Sequence, residues 1–331
     1  MDLDAYVSAH RDEWARLHDL SGRRRLSGAE ADELVALYER VGTQLSVVRS
    51  TAPDPALVAR LSTLVARARA ATTGSHEAAW RDLSRFFTTS FPAALYRTRW
   101  WWGMCALASL LVALAMGWWV ATHPQVQAAV ATDDKIRSLV QNDFESYYSQ
   151  YAAGSFAAQV WTNNAWIAAL CIASGVLGLP VLWILYSNAM NVGVVGGLMA
   201  SGGRLDLFFG LILPHGLLEL TAVFIAAGAG LRLCWAWIDP GPRTRSRALA
   251  EEGRAAVAIA MGLVLVLAVS GVIEAFVTPS PLPTWARIGI GVLVEAAFLT
   301  YVFTLGRWAV ARGEIGDLEE AYVGDSLPVS G

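Results

Sequence analysis

Lysine is nearly missing from this chain: Lys135 is the only one, and every other basic side chain is arginine. Charge of either sign is scarce as well. Only 16% of the 331 residues are Asp, Glu, Lys or Arg, where a soluble domain carries about 25%. The net charge of −3 leaves no basic excess for a phosphate backbone, so no nucleic-acid partner is expected. Cysteine is rare, at Cys105, Cys171 and Cys234, with no CxxC pair. That excludes a disulfide framework or a thiolate metal site. Asp2, Asp4, Arg11 and Asp12 leave no apolar core for a signal peptide at the start. HExxH, GxSxG and the phosphate-binding P-loop pattern are all absent, and no cofactor is expected.

What remains is apolar. Mean hydropathy is +0.43, and residues 146–203 contain no charged side chain at all. Further uncharged runs cover 100–121, 255–273 and 296–306. A helix needs roughly 20 mostly apolar residues to cross a bilayer core. The expected fold is therefore all-α: a polytopic helical membrane protein of about six spans, with membrane lipid as its solvent. The spans are read at 103–121, 164–186, 188–201, 214–238, 255–277 and 285–308. The third is too short to cross at 1.5 Å per residue. With 205–213 it suggests a broken or re-entrant segment, tolerated in a membrane only where protein or water shields the backbone.

Residues 1–99 read differently, as a water-soluble helical domain. Val7, His10, Trp14 and Leu17 recur at helical spacing. Ser27 and Glu30 form a capping box ahead of Leu34, Leu37, Val41, Leu45 and Val48. Asp54 and Pro55 open a third helix through Leu57, Leu61, Leu64 and Ala68. A fourth carries Trp80, Leu83 and Phe87, so a four-helix bundle is expected. Between 81 and 102, arginines alternate with Phe86, Phe87, Phe91, Tyr96 and three tryptophans. That mixture suits an elbow helix lying at headgroup level.

The arginines also set an orientation. Arg97 and Arg99, the 243–254 segment, and Arg307 and Arg312 fall on one side of a six-span path. The positive-inside rule makes that side cytoplasmic, with both termini inside and residues 122–163 outside. The membrane domain is read as 100–312, and the acidic tail from 313 to 331 is expected to be disordered.

Ionisable and amide groups within spans are costly and usually face an interior. The candidates are Asn163, Asn164, Asn188, Asn191, His215, Glu219, Glu274, Arg287 and Glu295. His215 and Glu219 stand four apart on one helical face, with Pro214 read as a helix start and Gly216 between them. On this path His215, Glu219, Glu274 and Arg287 share the outer half of the membrane. They form either an outward polar site or an interhelical staple. A metal is not expected, because His215 is the only histidine in a span and a zinc site usually takes three protein ligands. Gly193, Gly196 and Gly197 suit close helix packing, and the Gly193/Gly197 GxxxG face also suits a homodimer.

At these residues the sequence resembles the stage II sporulation protein M family, also called SpoIIM or DUF95. The likeness is carried by Asn163-Asn164, by Gly175 and Gly178, and by the run from Asn188 through Asn191 to Gly196. It continues through Pro214-His215-Gly216-Leu217-Leu218-Glu219 and Gly228-Ala229-Gly230-Leu231-Arg232. It covers 155–240 and is expected to reach over 1–312. The resemblance implies a multi-spanning bacterial cytoplasmic-membrane protein that works with peptidoglycan-degrading enzymes. The expected function is thus a non-enzymatic membrane scaffold that recruits cell-envelope proteins, peptidoglycan hydrolases among them. The alternative is a transporter, channel or lipid-moving protein built around His215 and Glu219, since broken helices often frame substrate sites.

Overall fold

A computed structural model describes residues 3–23, 26–51, 54–72, 75–144 and 153–316, without the side chains at 4, 75–79 and 153–160. The described residues are helical, with no strand among them. They form two compact units, Met1–Ser84 and Arg85–Gly331.

The first unit is built on α1 (Leu3–Gly22), α2 (Gly28–Thr51) and α3 (Pro55–Thr72). Their expected stripes meet: Trp14, Leu17 and Leu20 pack with Leu34, Leu37, Val41, Leu45 and Val48, and with Leu57, Leu61, Leu64 and Ala68. The helix starts form as their caps dictate. The Ser27 amide donates to Glu30 Oε2 at 2.8 Å, and the Leu57 amide to Asp54 Oδ1 at 2.7 Å. The buried Trp14 indole donates to Gln44 at 2.6 Å, which satisfies its one polar atom. The fourth helix, α4 (Ser75–Arg85), does not join this core. Trp80 is 73% exposed and Leu83 is exposed. The third residue of the expected stripe, Phe87, packs instead against Phe91 in the second unit, and Trp80 with Leu83 makes too narrow a stripe to hold the helix.

The second unit begins with a π-helical turn, Phe86–Ser90, and α5 (Phe91–Arg97). This is where the elbow was expected to lie on a surface. Instead Phe91, Pro92, Ala93, Ala94 and Leu95 are all buried. Phe91 lies so close to Gly262 that a β-carbon there would meet its ring at 2.2 Å. The aromatic side chains that suggest a headgroup helix are as well suited to a protein interior. The arginines do line one end of the bundle, where Arg99 lies 4.1 Å from the Tyr96 ring centre and Arg312 lies 3.5 Å from that of Trp308.

Six helices of membrane length follow: α6 (Arg99–Thr122), α9 (Ala153–Ala173), α10 (Leu179–Ser201), α11 (Leu205–Ile238), α12 (Arg245–Val272) and α13 (Thr284–Tyr301). Short helices α7 (Pro124–Val130) and α8 (Asp133–Ser138) lie between α6 and α9, and α14 (Arg307–Ala311) ends the bundle. A π-helical turn extends α12 to Val277, and another joins α13 to α14. Five of the six are long and apolar enough to qualify as spans on described residues alone. The sixth, α9, has 21 residues and no charged side chain. Six helices of membrane length are therefore present among the described residues, five of them candidate spans, and α11 and α12 form their centre. Of their most apolar stretches 56% is buried, against 11% in α6 and in α13 with α14.

Two span boundaries differ from the expected ones. The break between the second and third spans falls at Gly178 rather than Ser187. Gly178 takes φ 69° and Pro180 opens the next helix, while Tyr186, Ser187 and Asn188 sit inside α10. The 188–213 segment is interrupted at residues 202–204, where a break was expected, but the pieces on either side belong to two longer helices. α10 and α11 are each continuous, joined by a tight turn in which Gly203 takes φ 70°. Pro214 is correspondingly not a helix start but lies within α11.

The segment after α6 is partly anchored. Val140 is buried with Met199 and Phe208, and the Phe144 and Phe208 rings stack at 5.7 Å. Residues 145–152, which include Tyr147, Tyr148 and Tyr151, lie outside the described ones. So does 317–331, most of the expected tail. Its first residues are held: Arg97 donates to the Ile315 carbonyl, and Arg85 pairs with Glu314 at 3.6 Å.

Candidate functional site

α11 carries His215 and Glu219 on its face toward α12, as their four-residue spacing requires. α12 carries Ser270, and the π-helical turn Ile273–Val277 continues it with Glu274. Thr278 follows directly. These five side chains come from two helices that pack along each other and enclose the group: His215 is 5% exposed, Glu274 2% and Thr278 0%.

The contacts form a chain. The Ser270 hydroxyl donates to the His215 carbonyl at 3.0 Å and lies 3.5 Å from Glu219 Oε2. His215 Nδ1 lies 3.2 Å from Thr278 Oγ1, and His215 Nε2 lies 3.6 Å from Glu274 Oε1. The second oxygen of Glu274 is buried with no hydrogen-bond partner. One ligand atom from each of His215, Glu219 and Glu274 can be chosen so that all three lie within 4.8 Å of one another. The count of histidines had left a metal site short of ligands; two carboxylates complete the number.

Arg287 does not join the carboxylates. It donates through Nη1 to the Thr278 carbonyl at 2.6 Å and through Nη2 to Thr284 Oγ1 at 3.2 Å, so it staples the turn before α13. Glu295 is also separate, and accepts from Thr221 on α11 at 2.8 Å. The asparagines are spread along α9 and α10. Asn188 donates to the Ile184 carbonyl of its own helix, and Asn163 and Asn191 are exposed, with Asn164 half-buried. Sequence reasoning missed Ser270 and Thr278. The available signal was spacing, since Ser270, Glu274 and Thr278 recur every four residues.

Gly193 and Gly197 pack as expected, but within the chain. A β-carbon on Gly193 would meet the Ala113 carbonyl at 2.6 Å, and one on Gly197 the Gly117 carbonyl at 2.6 Å. α6 therefore covers the face read as suiting a dimer. Gly196 lies against the Phe208 ring, and Gly216 against Ile212 of its own helix. Gly291 of α13 touches the backbone of Pro214.

A second polar cluster, at the end of the bundle where Arg97 lies, was not anticipated. Arg232 grips Glu252 with two contacts, Nε to Oε2 at 2.7 Å and Nη2 to Oε1 at 2.9 Å. It also donates to the Arg97 carbonyl at 2.8 Å. Arg243 binds Glu251 at 2.6 Å, and Arg97 stands 3.6 Å from Glu252. Glu252 is 6% exposed, so this is a buried charge group rather than a solvated arginine face.

Helices of this length around buried polar side chains define a polytopic α-helical membrane protein. Residues 106–279 match the family described as Stage II sporulation protein M, which is more than half of the chain. The chain belongs to that family. The match is wider than the stretch that carries the resemblance and stops short of the expected 1–312. It contains His215, Glu219, Ser270, Glu274 and Thr278, and ends before Arg287 and Glu295. Residues 4–74 match a different family, a domain of unknown function, DUF8413. Over 76 residues the chain is 37% identical to the uncharacterized protein MJ0793 of Methanocaldococcus jannaschii, covering 22% of this chain and 43% of that protein. The chain thus spans less than half the length of that relative. No solved structure matches.

Proposed function

We propose that the chain is a non-catalytic membrane scaffold of the sporulation protein M type, which positions cell-envelope partners. The observation behind this reading is the way the spans touch. α6 meets α10 at Gly193 and Gly197, and α11 meets three further segments at glycine. A β-carbon on Gly228 would meet the Trp102 amide nitrogen at 2.5 Å, one on Gly230 the Cys171 carbonyl at 2.3 Å, and one on Gly291 the Pro214 carbonyl at 2.5 Å. Backbones this close interlock and resist sliding, which suits a fixed platform better than a carrier that must rock between states. That α10 and α11 are each long, continuous helices on either side of the 202–204 turn also favours this reading over transport.

In this reading the membrane is the bacterial cytoplasmic membrane, with both ends of the bundle domain inside. The 122–163 segment faces out and recruits peptidoglycan-remodelling proteins, and the Met1–Ser84 unit binds a cytoplasmic partner. The test is crosslinking and affinity capture from native membranes. One sample is the full chain, and the other has its exposed 124–138 surface replaced by Ser and Gly while Val140 and Phe144 are kept. Loss of envelope proteins from the second sample is expected. An identical partner set in both would overturn the outer docking role.

A further inference from the structure

We propose that His215, Glu219 and Glu274 bind one divalent first-row transition cation of the Zn2+ class, which ties α11 to the π-helical turn after α12. Ligands at 2.0–2.2 Å from a tetrahedral centre stand roughly 3.3–3.5 Å apart. His215 Nε2 and Glu274 Oε1 are already at 3.6 Å, and the whole set lies within 4.8 Å. Bringing the widest separation down to that range takes a side-chain shift of up to about 1.5 Å.

The second observation is Glu274 itself. It is 2% exposed and its Oε2 accepts no hydrogen bond. A buried carboxylate oxygen without a donor is costly unless a cation is shared. Two carboxylates and one imidazole bring up to two negative charges into a helix contact where His215 and Glu274 are buried and Glu219 is half-buried, and a divalent ion offsets both. The surroundings also look like a ligand's outer support. Thr278 Oγ1 meets His215 Nδ1 and so leaves Nε2 directed at Glu274, while Ser270 touches both Glu219 and the His215 backbone. An imidazole among oxygen donors favours a borderline ion over Mg2+ or Ca2+. The site stands independently of the scaffold reading, because a cation here would serve to lock the bundle as readily as to act on a substrate.

The test uses the full chain in detergent, purified without a histidine tag, stripped with a chelator and titrated with Zn2+. About one tightly held Zn2+ per chain is expected, with a higher thermal midpoint as it binds. Co2+ in place of Zn2+ should show visible d–d bands from a nitrogen-and-oxygen ligand set. Glu274→Gln and His215→Gln should lower affinity by more than about tenfold, and Thr278→Val by about tenfold through the ring's orientation. Glu295→Gln, outside the cluster, should bind as wild type does. Wild-type protein that takes up no Zn2+ overturns the proposal whether or not the variants fold. Zn2+ or Co2+ binding that is the same in wild type and Glu274→Gln overturns it too.

Discussion

Glycine sets how closely the helices of the membrane unit approach one another. In lipid, apolar side chains gain little by leaving their solvent, so association depends on close packing and on polar contacts. At Gly230 the backbone of α9 comes so near that a β-carbon would stand 2.3 Å from the Cys171 carbonyl. Backbone cannot give way as a flexible side chain would. Gly230→Ala is therefore expected to cost about 1–3 kcal/mol by overpacking, read as a lower thermal midpoint in detergent. Gly253, on α12, has nothing within 4 Å of the same position. Gly253→Ala should be neutral or stabilising by up to about 1 kcal/mol, from helix propensity alone. At the opposite extreme of polarity, Arg232 and Glu252 form a two-point pair with side chains 18% and 5% exposed. Removing Glu252 leaves Arg232 without its carboxylate, so Glu252→Gln should cost roughly 3–5 kcal/mol, whereas Arg232→Met leaves Glu252 with Arg97 and Arg243 at 3.6 Å and should cost less. The double replacement Arg232→Met with Glu252→Met should recover part of that loss. The same melting assay checks all three, and additive losses would show that the two side chains do not depend on each other.

Among the elements, α2 shows how far local chemistry reaches. Its capping box forms as written, and Glu33 takes a fork from Arg16 of α1 at 2.9 and 2.6 Å. The hydrogen bonds from Ser27 hold Glu30, and the guanidinium of Arg16 holds Glu33, below the ordinary glutamate value of 4.5. A carboxylate lowered on folding stabilises above its unfolded pKa, and that stability is lost as pH falls through the folded value. Amide protection in α1 and the start of α2, measured by hydrogen exchange on the full chain, should therefore weaken as pH drops below about 4.5 and hold steady from there to neutrality. Protection that stays level down to pH 3 would mean that neither contact couples to folding. Elements also mark where sequence reading stopped. α4 has the spacing of an amphipathic helix but leaves Trp80 exposed. α5 reads as a surface element but is buried. Periodicity states that a helix has a preferred face and does not say what covers that face.

For the whole molecule, the path of six spans returns the chain to the end at which it entered. The contact of Arg97 with Ile315 shows this directly, since one precedes α6 and the other follows α14. The arginine clusters of 97–99, 232, 243–247 and 307–312 gather at that end. With the native cysteines replaced, Ser246→Cys and Thr132→Cys should react with a membrane-impermeant maleimide from opposite sides of intact cells. Thr132→Cys should label from outside, and Ser246→Cys only after permeabilisation. Labelling of both from one side would break the six-span path, and the swapped pattern would reverse the topology.

The extent of the apolar runs, the caps at Ser27 and Asp54, and the pairing of His215 with Glu219 follow from local rules of solvation and helix geometry. The sequence by itself therefore determined the class of the protein, its two-part organisation and three members of its polar cluster, His215, Glu219 and Glu274. Tertiary structure alone decided that Ser270 and Thr278 join His215, Glu219 and Glu274 while Arg287 and Glu295 turn elsewhere. It alone decided that Gly193 and Gly197 serve α6 rather than a second copy, and that Glu252 lies under Arg232. Those outcomes depend on which helix faces which. That is settled by close packing summed over the whole bundle, and no window of neighbouring residues contains it.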